Sequence, residues 1–134
     1  MGQCKIEYLF LADAANIDNF GKLNVLGIFQ NIFLNKVPGS ILKFVLISSI
    51  FVKDPNKPFQ IEIKIKDKKD NYIKLQPQLI FPFKPEVGNK DKVINLMIDL
   101  INVKFDSFGT YEIEVFADSN KIGSKFLEIV EKKN

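Results

Sequence analysis

Apolar and polar residues alternate with period two along most of the chain. The clearest stretch is Phe59-Gln60-Ile61-Glu62-Ile63-Lys64-Ile65-Lys66. Phe59, Ile61, Ile63 and Ile65 share one face, and Gln60, Glu62, Lys64 and Lys66 share the other. This spacing predicts a half-buried strand with one wet face. Tyr111-Glu112-Ile113-Glu114-Val115 repeats it. If the two strands are neighbours, the acids of the second pair with lysines such as Lys64 and Lys66. The same pattern predicts about eight strands, over 4–11, 22–35 (bent or broken), 41–53, 58–67, 72–83, 92–103, 109–117 and 121–131. Turn chemistry separates them: Asp18-Asn19-Phe20-Gly21, Val37-Pro38-Gly39-Ser40, Asp54-Pro55-Asn56-Lys57-Pro58, Asp67 to Asn71, and Asp118-Ser119-Asn120. Pro77 and Pro82 interrupt the fifth strand and place it at an edge or a bulge, because proline donates no ladder hydrogen bond. No segment has helical spacing with caps, although residues 12–19 suit one short turn. Glu131 to Asn134 reads as a polar tail.

Short strands with turns every 8–12 residues predict a sandwich or barrel. Phe105-Asp106-Ser107-Phe108-Gly109-Thr110-Tyr111 favours an immunoglobulin-like antiparallel β-sandwich. A tyrosine at the start of the penultimate strand, after an Asp and a Gly, resembles the tyrosine corner, whose hydroxyl bonds back to the loop backbone. The immunoglobulin Cys pair and Trp are missing, so the likeness is to the architecture alone. Residues 1–134 read as a single all-β domain, with no internal repeat or linker.

Two strands are more apolar than a one-sided sandwich requires. Ile41 to Val52 and Leu79 to Phe83 carry apolar groups on both faces, and Ile94 to Val103 does so in part. A strand apolar on both sides must be covered on both sides. The cover is expected from a long N-terminal loop or from another subunit.

Composition narrows the chemistry. The 134 residues contain no His, no Trp and no Arg, so all 19 basic residues are lysine, and Cys4 is the single cysteine. Serine triads, Cys–His dyads, His-ligated zinc and arginine clamps are excluded by inventory. The net charge of +3 is unevenly placed. Residues 52–92 hold ten lysines against six acids, and residues 93–134 five lysines against seven acids. Guanine reading leans on bidentate arginine, and no dense basic cluster with interleaved aromatics is present, so nucleic acid is not an expected partner. The longest apolar run, Phe44 to Val52, is far shorter than a membrane helix needs, and no signal peptide is visible. A cytoplasmic protein is expected, with Cys4 an ordinary thiol.

The densest polar cluster is Asp13, Asn16, Asp18 and Asn19 before Gly21. It fails the calcium-loop pattern, because Phe20 and Gly27 fall where acidic ligands belong. Gly21-Lys22 is followed by Leu23 and a strand, which excludes a phosphate loop. Gly27, inside a strand, predicts a bulge or a close backbone approach. Tyr8-Leu9-Phe10-Leu11-Ala12-Asp13-Ala14-Ala15-Asn16 followed by Gly21-Lys22-Leu23-Asn24-Val25-Leu26-Gly27-Ile28-Phe29 resembles the N-terminal signature of a family of small bacterial proteins of unknown function. Its pattern is D-x-A-N, then G-K-L-N-x-x-G-I-F. The resemblance implies a small β-sandwich with no assigned activity, and it transfers no catalytic residue. It makes Asp13, Asn16, Lys22 and Asn24, with Gly21 and Gly27, the positions most worth testing. Asp13 and Lys22 flank one loop and suit a bridge, with Asn16 and Asn24 bonding loop backbone.

Catalysis is poorly supplied. Asp99, among Met97, Ile98, Leu100 and Ile101, is the one candidate for a shifted carboxylate, and a wet-face position explains it more simply. Ser48 and Ser49 lie mid-strand without a nucleophile turn. The expected function is that of a non-enzymatic protein-interaction or assembly module. It acts through an apolar sheet face, with a protein partner or by self-association as a homo-oligomer, and without cofactor or metal. The alternative is a small-molecule or glycan-binding sandwich using the 12–24 loop region, with Asp13, Asn16, Lys22 and Asn24 as its candidate ligand-binding residues.

Overall fold

The computed structural model describes residues 4–84 and 90–133. Nine strands form among them: β1 (Cys4–Ile17), β2 (Leu23–Phe29), β3 (Asn31–Leu34), β4 (Gly39–Val52), β5 (Phe59–Asp67), β6 (Leu79–Phe83), β7 (Lys92–Phe105), β8 (Gly109–Ala117) and β9 (Asn120–Glu131). They make a four-stranded sheet in the order β2-β1-β4-β7 and a five-stranded sheet in the order β3-β9-β8-β5-β6. All described pairings are antiparallel except β3 with β9. The two sheets pack as a β-sandwich. Leu9, Leu11, Phe44, Leu46, Ile50, Ile98 and Leu100 of one sheet meet Ile61, Ile63, Ile65, Ile113, Val115, Leu127 and Ile129 of the other. Each such side chain contributes about 1.5–3 kcal/mol of apolar burial.

The alternating stretches behave as their spacing requires. Along β5, Phe59, Ile61, Ile63 and Ile65 are buried. β5 and β8 are neighbours, with Lys64 opposite Glu114 and Lys66 opposite Glu112. The Tyr111 hydroxyl donates to the Ser107 carbonyl at 3.0 Å and accepts from the Ser107 amide at 3.2 Å, which ties the loop to the start of β8. The strand holding Pro82 is β6, an edge.

Two sequence expectations are corrected, and the break expected within 22–35 falls at Gln30. Residues 12–17 are strand, not loop or helical turn: β1 runs on to Ile17 and pairs with β2, so the 12–24 region is a hairpin. Polar composition suggested a loop there, but its Asp and Asn side chains satisfy the hairpin tip instead. The 22–35 stretch splits at Gln30 into strands of different sheets, with Asn31 opposite Glu128 on β9. Residues 72–78 are mostly irregular, with one bridge from Tyr72 to Lys66 and a cis peptide between Gln76 and Pro77, and the strand begins at Leu79.

Two residues of positive φ reset the alternation in the four-stranded sheet. At Asn102 (φ 53°) the inward positions shift by one, from Ile98 and Leu100 to Val103 and Phe105. Gly27 (φ 71°) does the same work on β2, and a side chain there would collide with the Asp13 carboxylate. β1 carries an extra residue between Ile6 and Tyr8 where it passes β4. The buried Ser48 hydroxyl donates to the Tyr8 carbonyl at 3.0 Å beside that bulge.

Candidate functional site

The four candidate residues of the sequence lie along the β1–β2 hairpin. Asn16 and Asn24 are direct cross-strand partners, and the Asn24 amide donates to Asn16 Oδ1 at 3.1 Å and to Asp18 Oδ2 at 3.4 Å. Asp18 organises the tip: its Oδ1 accepts from the Phe20 and Lys22 amides, both at 2.9 Å. These backbone hydrogen bonds, Lys22 first, hold its carboxyl below the usual range although it is exposed. Lys22 therefore contributes its backbone to the turn. Asp13 sits farther along the ladder against Gly27, about 16 Å from the tip at strand spacing. No Asp13–Lys22 ion pair forms among the described residues. The hairpin thus brings Asn16, Asn24 and Asp18 together and leaves Asp13 and Lys22 apart. Asp13 lines an open cleft of about 450 Å³ with Phe29, Asn31, Ile41, Lys43 and Phe44. The cleft opens where β1 and β4 part, since their pairing ends at Ala12 opposite Val45.

Most of the apolar surplus of β4 is covered within the chain, with Leu42 left 76% exposed. Phe44 and Leu46 enter the main core, while Val45 and Ile47 on the other face form a second buried cluster with Ala12. Tyr8, Ala15, Leu23 and Val25 pack against that cluster, so the β1–β2 hairpin supplies part of the cover. The cover stops short of β7. Ladder register places Phe10, Ile47 and Met97 in one row across three strands, with Phe51 opposite Val93 and Lys43 opposite Ile101. Val93, Met97 and Ile101 remain 56%, 43% and 54% exposed. Their row is broken by Asn95 and by Asp99, which reaches Lys43 at 3.8 Å with both side chains half exposed. That placement gives Asp99 the wet-face position its sequence context suggested.

A second constellation lies on the outer face of the five-stranded sheet. Lys66 contacts Glu112 at 3.7 Å and Glu114 at 3.3 Å, and Lys121 contacts the same two carboxylates at 2.6 and 3.1 Å. Asp70 adds a 3.3 Å contact to Lys66, and the Tyr72 hydroxyl donates to Glu114 at 2.8 Å. Glu114 is nearly buried, and burial alone would raise its pKa. Hydrogen bonds from Tyr72, Lys121 and Lys66 outweigh that and hold it below the ordinary range. Beside this network Lys64 lies over the rings of Tyr72 and Phe116 at 5.1 and 5.2 Å. Lys64, Tyr72, Lys74, Gln76 and Gln78 then line a cleft of about 490 Å³. The alternating charges of β5 and β8 announced the central pairs. Tyr72 and Lys121 reach the cluster from outside those stretches, and no spacing rule connects them to it.

A family model described as a family of unknown function, DUF6941, matches residues 7–130. The chain belongs to the DUF6941 family. The match runs from Glu7 in β1 to Val130 in β9, so both sheets and all three surfaces belong to the DUF6941 domain. No curated protein matches the chain. Among solved structures it is similar to the Pseudomonas fluorescens alkylpurine DNA glycosylase AlkC bound to DNA containing an abasic site analog. The TM-score is 0.49 at 12% identity, over 96% of this chain and 30% of the glycosylase chain. A likeness of that size bears on neither the fold nor the activity of this DUF6941 domain. Among the described residues no helix is long and apolar enough to cross a membrane.

Proposed function

We propose that this DUF6941 domain is a non-enzymatic interaction module that docks a protein through the outer face of its four-stranded sheet. The observation that carries this reading is the row of Val93, Met97 and Ile101, exposed along one strand beside the half-buried Phe10 and Phe51. Water-facing aliphatic side chains in line on a sheet are a feature of association surfaces. The domain is immunoglobulin-like in architecture, on the strength of the Tyr111 corner, and bacterial and cytoplasmic in setting. Burial and then Asp118 push the Cys4 thiol up, which suits an unreactive role. Ser48 spends its hydroxyl on the backbone of β1, and Asp99 is half exposed beside Lys43, so neither supports catalysis.

The test is photocrosslinking in the host cell, with benzoylphenylalanine at Phe51 on the proposed face and at Phe126 on the opposite sheet. The reading expects a discrete protein adduct from position 51 and none from 126. No adduct from 51, or the same adducts from both, would overturn it. The small-molecule alternative at Asp13, Asn16, Lys22 and Asn24 is weaker, because only Asp13 of the four lines the cleft at that hairpin.

A further inference from the structure

We infer that the four-stranded sheet also joins a second copy of the chain edge to edge, by antiparallel pairing of β7 with β7 about a two-fold axis at Met97. The inference goes beyond the face-docking reading, because edge pairing leaves the outer face of the sheet uncovered.

The first ground is the contrast among the edges. The four edge strands are β2, β7, β3 and β6. A free edge presents unpaired amides and carbonyls, and proteins usually blunt it with short strands, proline or bulges. β3 has four residues, β6 has five and contains Pro82, and β2 is interrupted by Gly27 at positive φ. β7 has 14 residues with neither proline nor glycine, and it stays regular until Asn102. Among the described residues it is the one long edge with no strand paired on its outer side.

The second ground is the sequence of that strand. Val93-Ile94-Asn95-Leu96-Met97-Ile98-Asp99-Leu100-Ile101 reads nearly the same, by residue class, in both directions from Met97. Two copies run antiparallel about Met97 set Val93 opposite Ile101, Ile94 opposite Leu100, and Leu96 opposite Ile98. Asn95 falls opposite Asp99, so a neutral amide donor meets the only charge in the stretch, twice. Directly opposed residues are the unit of sheet stabilisation, and like charges there destabilise. A register centred on Ile98 would set Lys92 opposite Lys104. The strand is thus self-complementary in one register, as a two-fold interface requires.

The third ground is the space behind the edge. Leu75 and Pro77 of the irregular 72–78 segment, with Leu79 of β6, face Leu100 and Val103 across a groove of about 150 Å³. In the Met97 register, Ile94 of the second copy arrives opposite Leu100, beside this groove, and fills it. The two four-stranded sheets then become one eight-stranded sheet whose outer faces are continuous.

The test uses the full chain. Light scattering expects a dimer. In a Cys4→Ser background, oxidation without a linker is expected to join copies through Met97→Cys. Directly opposed residues lie about 4.5–5.5 Å apart at Cα, within disulfide reach. Asn95→Cys and Asp99→Cys are expected to remain uncrosslinked, because each would sit about 13 Å from its own copy. Asn95→Asp sets an acid opposite each of the two Asp99 residues and is expected to weaken the dimer roughly tenfold. Asn95→Lys preserves it. Positions 95, 97 and 99 are exposed, so folding is retained there, and circular dichroism checks this and the half-buried Cys4→Ser background. A monomer, or crosslinking at 95 or 99 equal to that at 97, would overturn the inference. If that monomer still gives the discrete adduct from position 51, the second copy fails as partner while the docking face stands. Loss of both removes the two together.

Discussion

The hydroxyl of Tyr72 donates a 2.8 Å hydrogen bond to Glu114, a carboxylate whose side chain is only 3% exposed. Tyr72 itself is half exposed and comes from the segment that follows β5. It is one of three donors to Glu114, with Lys66 and Lys121. Hydrogen bonds to charged groups are worth about 1.5–3 kcal/mol when dry, and partial exposure reduces that. Tyr72→Phe is therefore expected to cost about 1 kcal/mol in chemical denaturation. It is also expected to loosen residues 72–78, because Tyr72 pairs with Lys66 at their start. Hydrogen exchange at Ile73, whose amide donates to the Ile65 carbonyl at 2.8 Å, reads the second effect. Unchanged stability and unchanged exchange in the variant would show that the phenol is ornamental.

The same cluster sets a pH dependence. Lys121 and then the Ser124 hydrogen bond hold Glu112 below the usual carboxylate range, and Tyr72, Lys121 and Lys66 do the same for Glu114 against its burial. A group with a depressed folded pKa binds fewer protons when folded than when unfolded. Its stabilisation is present above the unfolded glutamate pKa and is lost as pH falls through the lower folded value. Lys121 is raised by Glu112 and Glu114, and Lys66 is raised by Asp70 and Glu114 despite desolvation. Their contribution is present below the unfolded lysine pKa and is lost as pH rises through the higher folded value. The melting temperature is thus expected to be flat near neutrality and to fall on both sides. Glu112→Gln with Glu114→Gln is expected to flatten the acid limb, measured by thermal unfolding from pH 3 to pH 8. An acid limb equal to that of the parent would assign it to other carboxylates.

Most of the fold was legible because most of it depends on one short-range rule. Phe59, Ile61, Ile63 and Ile65 reveal their face by spacing alone, and Tyr111 announces its corner through Asp106 and Gly109. The errors came where tertiary context decides. Asp13 and Asn16 have loop composition, yet they lie in strand because β2 returns alongside them. Tyr72 to Gln78 alternates well enough to pass for strand, but only Leu79 onward finds a partner on β5. The candidate site was half legible for the same reason. The Lys66–Glu112 pairing follows from strand pattern, whereas Tyr72 and Lys121 complete the cluster through contacts that no local spacing encodes. The apolar second face of β4 was seen, but its cover by Ala15, Leu23 and Val25 required the hairpin to exist first.

Gly27 and Asp13 make the sharpest test of the hairpin itself. Gly27 holds φ at 71°, a conformation that side-chain-bearing residues adopt at a cost of roughly 1 kcal/mol or more. The Asp13 carboxylate also occupies the space a Cβ would take. Gly27→Ala therefore meets two penalties, backbone strain and a collision. Together they are expected to cost about 2 kcal/mol. Adding Asp13→Ala removes the colliding carboxylate but leaves the strain and a tight contact with the remaining Cβ. The double variant is then expected to recover about half of the loss, a coupling that a double-mutant cycle in urea measures directly. If the two changes simply add, the carboxylate moves aside at no cost and Asp13 is not packed on Gly27. Recovery of the full loss would mean instead that Gly27 is held in place by Asp13 and not by its φ. Half recovery is the outcome in which the glycine serves both the turn of β2 and the close approach of β1.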